Sequence, residues 1–162
     1  MPRSIWCPFA LCGLVLSAIQ PAAVARDATT KPSLVGSWEF TAKPDSRGSD
    51  EAEIAGLATC TSDGTATETD THEAALHLTS GQGIWQPSPA IGKLVMRFTS
   101  LAANPDGTLN LKRVVTATVE LNPTRDQFSG EYSVDLVDAS GHPFKTRSGS
   151  VEGHLIAQQS LP

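Results

Sequence analysis

Cysteine, basic charge and helical periodicity are all scarce in this chain, and each scarcity closes off a class of protein. Of three cysteines in 162 residues, Cys7 and Cys12 fall within the first 25 positions. Without that segment Cys60 stands alone, so no intramolecular disulfide can staple the fold and the core must hold by packing. Lys and Arg total 12 against 17 Asp and Glu, a net charge of -5. Nucleic-acid binding needs clustered cations that displace counterions from phosphates, and an anionic lipid surface needs the same, so neither partner fits. Catalytic signatures are missing as well: the chain has no G-x-S-x-G elbow, no P-loop and no dinucleotide-binding glycine motif. Its hydrophobic fraction of 40% is still that of an ordinary globular domain.

The one long apolar run lies at the start. Arg3 supplies a short positive beginning, Ile5 to Ile19 are mostly apolar, Pro21 breaks any helix, and Ala23-Val24-Ala25 offers a small-x-small cleavage site. At 15 residues the run is shorter than the ~20 that span a bilayer as a helix, so it reads as a secretory signal rather than a retained anchor. The expectation is a signal peptide over 1–25, a loose polar leader over 26–33, one domain over 34–158, a short tail over 159–162, and export to the periplasm or beyond. The mature domain is expected to be monomeric or weakly oligomeric, with no stable membrane anchor.

From residue 34 onward the hydrophobic period is two. Leu34, Gly36, Trp38 and Phe40 alternate with Val35, Ser37, Glu39 and Thr41, and Leu94, Met96 and Phe98 with Lys93, Val95, Arg97 and Thr99. The most regular row is Leu109, Leu111, Arg113, Val115, Ala117, Val119 and Leu121, followed by Phe128, Gly130, Tyr132, Val134 and Leu136. Turn chemistry separates the rows at Asp63-Gly64, Asn104-Pro105-Asp106-Gly107, Asn122-Pro123 and Ser140-Gly141. These signals predict eight strands, near 34–42, 52–61, 65–70, 83–87, 92–101, 108–121, 127–137 and 144–156. Thr71 to Leu78 is the only helical candidate, and it is short.

Consecutive strands joined by hairpins form a meander, and closing that meander removes its two exposed edges. Glycines at inward positions (Gly36, Gly130, Gly149, Gly153) let such a sheet curl. The fold class is therefore all-β, an eight-stranded antiparallel up-and-down barrel, in preference to a β-sandwich with longer crossings between sheets. Eight strands leave an interior that is either filled by side chains or holds one small ligand.

Gly36-Ser37-Trp38, at the start of the first strand, resembles the G-x-W signature of the calycin superfamily, which comprises lipocalins, fatty-acid-binding proteins and avidins. The resemblance covers this motif, the strand count and the hairpin connectivity. It implies that Trp38 sits at the closed end of a barrel, commonly beneath a basic side chain, and that the interior binds a small, largely apolar molecule. The chain carries no T-D-Y-like lipocalin motif, and lipocalin disulfides are impossible here.

The candidate ligand-binding residues are Trp38, Trp85, Met96, Phe98, Arg113 and Tyr132. Arg113 is the most informative, because a charge within an apolar row needs a carboxylate, carbonyls or an aromatic face as partner. It is either laid over Trp38 or Trp85 by cation–π contact or set to grip the carboxylate of a ligand. An alternative reading is a cavity enzyme of cyclase or isomerase type, with Glu68 and Asp70 as the nearest acidic candidates by strand position. A third is a filled barrel serving an envelope or interaction role without a small ligand. No cofactor and no metal are expected. Asp70, His72, Glu73 and His77 are the only metal-like group, and five residues between the histidines put them on different faces of either a helix or a strand. Cys60 reads as a small buried hydrophobe rather than a reactive thiol.

Overall fold

The structure, a computed structural model, describes residues 31–45 and 52–156. The expected signal peptide over 1–25, most of the expected leader and the tail lie outside the described residues.

The eight strands are β1 (Gly36–Pro44), β2 (Ile54–Cys60), β3 (Thr65–Asp70), β4 (Gly81–Pro87), β5 (Lys93–Ala103), β6 (Leu109–Leu121), β7 (Gln127–Asp138) and β8 (Pro143–Leu155). Each pairs antiparallel with the next, and β1 returns to β8, so the sheet closes into an up-and-down barrel. Strand number, order and connectivity are those the alternation predicts. Differences at the ends are small, the largest being two residues: β1 begins at Gly36 rather than Leu34, and β4 at Gly81 rather than Gly83.

The barrel starts its packing before its first strand. Leu34 precedes β1 yet is fully buried, and its carbonyl accepts the Trp38 indole N–H at 2.7 Å. Inward aromatics face inward glycines across the ladders: Phe40 lies opposite Gly56, Phe128 opposite Gly153 and Tyr132 opposite Gly149. A methyl group on Gly153 would come within 2.3 Å of the Phe128 ring, so the missing side chain is the space the ring occupies.

The short helical candidate forms α1 (Thr71–Leu76) between β3 and β4. The Asp70 carboxylate caps it by accepting the His72 backbone N–H at 2.8 Å, and His77 ends it in the left-handed conformation, φ 52°. The β2–β3, β5–β6, β6–β7 and β7–β8 turns share one device, an Asp carboxylate that accepts hydrogen bonds within its own loop. Asp63 binds Thr65 N–H, Asp106 binds Thr108, Asp126 binds Asn122, and Asp138 binds Ser140 and His142. Those bonds favour the charged form and hold all four carboxyls below their ordinary range, Asp63 at about 2.

Candidate functional site

Inward rows of alternating residues fill one half of the barrel and leave the other half hollow. In the filled half Leu34, Trp38, Leu94 and Val119 are at most 1% exposed. Trp38 packs on Phe128 with ring centroids 5.3 Å apart and planes tilted by 57°, a favourable aromatic geometry. Cys60 belongs to the same core, and burial pushes its thiol up to about 11, as expected of an inert small hydrophobe.

Toward the opposite end the same strands enclose a cavity of about 350 Å³. Its walls are Phe40, Ala42, Ala58, Met96, Phe98, Val115, Ala117, Phe128, Tyr132, Val134 and Val151, and its mouth is formed by Pro44, Ile54, Leu136, Lys145 and Arg147 with His72, Ala75 and Leu76 of α1. Along β6 the change is visible within one row: Val119 is fully buried, whereas Val115 and Arg113 border open space.

One polar cluster interrupts the apolar wall. Arg113 on β6 donates from Nη2 to Glu68 Oε1 at 2.7 Å and to the Ser100 hydroxyl at 3.2 Å, and from Nη1 to Asp70 Oδ2 at 2.8 Å. Arg113 and Glu68 are 4% and 5% exposed, so these charges meet in low dielectric, where each unpaired partner would be costly. The cluster crosses the start of β4 because Gly81 has no side chain there; a methyl group would lie 2.5 Å from Glu68 Cγ. Burial raises the Glu68 carboxyl to about 7, Arg113 opposes the shift, and the neighbouring Asp70 and Glu73 charges add to it. Arg113 Nε is buried with no hydrogen-bond partner among the described residues.

Of the six residues the sequence nominates, Met96, Phe98, Arg113 and Tyr132 line the cavity together. Trp38 and Trp85 do not. Trp38 is in the filled half, and Trp85 turns its indole N–H to the Thr61 carbonyl at 2.8 Å, at the β2–β3 turn. Neither aromatic face partners Arg113. Ladder register places Arg113 opposite Ser100 and Leu136, while Trp85 aligns through Met96 with Ala117, four residues or ~13 Å along β6. The partners of Arg113 are carboxylates of its own chain, which occupy two of its three nitrogens.

His72, on α1, borders the mouth of the cavity. Glu73 accepts from the Thr69 hydroxyl at 2.7 Å, His77 ends the helix, and no group of three metal-ligating side chains forms among the described residues. The sequence reading does not include Lys145 and Arg147, which border the mouth in phase with Gly149 and Val151 on β8.

Comparison with known protein families, with curated proteins and with solved structures finds no match to this chain.

Proposed function

We propose that the protein binds a small, largely apolar molecule in the open half of its barrel. The observation that carries this reading is the apolar cavity of about 350 Å³, continuous with a mouth, beside a filled half built from the same strands. Ligand sites typically offer ~300–1,000 Å³ of mostly apolar wall with a few placed polar groups, and this interior has both. The reading accords with the calycin resemblance of Gly36-Ser37-Trp38, and an open interior favours it over a filled barrel with an envelope role. Met96, Phe98 and Tyr132 contribute wall, and Arg113 contributes the polar side of the interior. With the secretory character of residues 1–25, the place of action is outside the cytoplasm, as a monomer or weak oligomer. A mature N-terminus at Arg26 is the expected result of protein sequencing.

Native mass spectrometry of protein purified from its own producer tests the reading. A reproducible extra mass that departs on denaturation is expected. If none is found, and a neutral environment-sensitive dye also fails to bind saturably, the reading falls. Because Trp38 and Trp85 are outside the cavity wall, an added dye is a better reporter than intrinsic tryptophan fluorescence.

One observation favours a second reading, a cavity enzyme of cyclase or isomerase type. Glu68 lines the cavity with its carboxyl raised to about 7, so near neutral pH it holds and releases a proton in a water-poor space. Deuterium incorporated from solvent into a recovered ligand, and lost in Glu68→Gln, would support it. Recovery of unexchanged ligand would leave binding alone.

A further inference from the structure

We propose that α1 is a lid over the cavity, tied down from inside the barrel by the cluster of Asp70, Arg113 and Glu68 and released when that cluster gains negative charge. This adds a regulation to the site of the binding reading and rests on that reading. Helix α1 places His72, Ala75 and Leu76 at the mouth, yet none of its six residues is buried. Leu76 is 43% exposed although it borders the cavity. A segment with so little packed surface opens more readily than the strands beneath it. Its position is therefore set by its two ends.

The ends are held in different ways. Beyond α1, Leu78 bridges to Ala102, and the Thr79 N–H donates to the Leu101 carbonyl at 2.9 Å. These are backbone contacts to β5, which no change of charge alters. At the other end one carboxylate serves two partners. Asp70 Oδ1 accepts the His72 N–H that caps α1, at 2.8 Å, while Oδ2 accepts from Arg113 Nη1 at 2.8 Å. The first turn of the helix is thus fastened through a single side chain to a guanidinium buried in the barrel wall. Glu73 on the same turn accepts from the Thr69 and Ser80 hydroxyls through Oε2, at 2.7 and 3.4 Å. Its Oε1 is buried with no hydrogen-bond partner among the described residues.

Arg113 is shared between Asp70 and Glu68, and the sharing depends on the charge of Glu68. With Glu68 protonated, Asp70 is the one anion bonded to Arg113, and the tether to α1 is at full strength. With Glu68 ionised, the interior holds Glu68, Asp70 and Glu73 against a single guanidinium. Like charges repel strongly in low dielectric, and Asp70 and Glu73 are the two that belong to the cap and first turn of α1. Outward movement of the helix separates them from Glu68. The charges that act on Glu68 are Arg113 from β6, Asp70 from its own strand and Glu73 from α1. Strands β2, β4 and β5 bring up Ala58, Gly81 and Ser100, none of which titrates. His72 on α1 and Lys145 and Arg147 on β8 are the other titratable groups at the mouth. Glu68 changes charge at about 7, so the lid is shut in mildly acidic solution and open in mildly alkaline solution.

The test is a spin-label distance across the mouth of the intact mature protein, from Ala75→Cys on α1 to Thr146→Cys on β8, in a Cys60→Ala background. Raising the pH from 6 to 8.5 should lengthen it by about 5 Å, the pitch of one helical turn, with a midpoint near 7. Glu68→Gln should keep the short distance at both pH values. Asp70→Ser, whose hydroxyl still caps the helix but is too short to reach Arg113, should show the long distance at both. Association of a neutral naphthylamine dye should be about fivefold faster at pH 8.5 than at pH 6 in the parent, and equally fast at both in Glu68→Gln. A parent distance that does not move with pH overturns the lid. So does a movement that survives in Glu68→Gln, which assigns it to another group such as His72, or a short distance in Asp70→Ser at pH 6. If Asp70→Ser is unfolded by circular dichroism, the parent and Glu68→Gln decide alone. A distance that moves while no dye binds at either pH keeps the lid and removes the binding reading.

Discussion

The filled and hollow halves of this barrel are built from the same eight strands and the same alternation, yet they solve opposite problems. In the filled half large side chains pack together: Trp38 meets Phe128 in a tilted contact, and Leu34, Leu94 and Val119 belong to the same core. In the hollow half the inward rows turn to small residues at Ala42, Ala58 and Ala117, and to charges at Glu68, Asp70, Arg113, Lys145 and Arg147. Charged side chains do not pack across an axis into one another. They pair along the wall, as Arg113 does with Glu68 and Asp70, or reach out to the rim. Under the proposed function the two ends divide their labour, stability from one and binding from the other, and substitutions in matched positions test that division.

The largest expected effects are similar in size and different in origin. Trp38→Ala removes the aromatic centre of the filled half and should cost about 3–5 kcal/mol in denaturant unfolding. Arg113→Met leaves Glu68 and Asp70 buried without their cation and should also cost about 3–5 kcal/mol. The two separate with pH. At pH 5 the Glu68 carboxyl is protonated and needs no cation, so the Arg113→Met loss should shrink, whereas the Trp38→Ala loss should not change.

Glu68 itself makes the hollow half sensitive to alkali. Its carboxyl titrates at about 7 when folded and 4.5 ordinarily. Between those values the folded chain keeps a proton that the unfolded chain has released, so this contribution to stability is full below pH 4.5 and declines as pH rises through 7. The decline amounts to roughly 3 kcal/mol, and Glu68→Gln should flatten the stability profile between pH 5 and 8. A profile unchanged by the substitution would assign the pH dependence elsewhere.

A smaller effect compares the halves within one row. Val119→Ala should cost roughly 2 kcal/mol because it opens a void in a packed layer, and Val115→Ala less than half of that because Val115 already faces the cavity. Equal costs would mean that the two halves are packed alike. The turns should respond least: Asp106→Asn keeps an acceptor for Thr108 but removes the charge. The carboxylate is stabilised when folded, so its contribution is present above pH 4 and disappears as pH falls below that. The variant should therefore be slightly less stable than the parent at neutral pH and converge with it in acid unfolding.

Alternation carries the fold in the sequence because period-two rows and turn residues agree from strand to strand; even the inward position of Arg113 follows from its row. The site is less legible. Lys145 and Arg147 border the mouth, but β8 has few large apolar residues to mark its phase, so the ladder to β7 is what places them. Glu68 on β3 and Arg113 on β6 are 45 positions apart and meet across β4 and β5, a contact that depends on Gly81 leaving space. Hollowness is the least legible property of all. Aromatic residues on inward faces either fill or line a barrel, and the small residues opposite them decide which.

Methyl-resolved NMR during titration with a neutral environment-sensitive dye separates the hollow half from the filled one, since each carries its own reporters. The account predicts saturable shifts at Met96, Val115, Val134 and Val151 and unchanged signals at Leu34, Leu94 and Val119. Silent cavity methyls, or shifts spread equally through both halves, would contradict it.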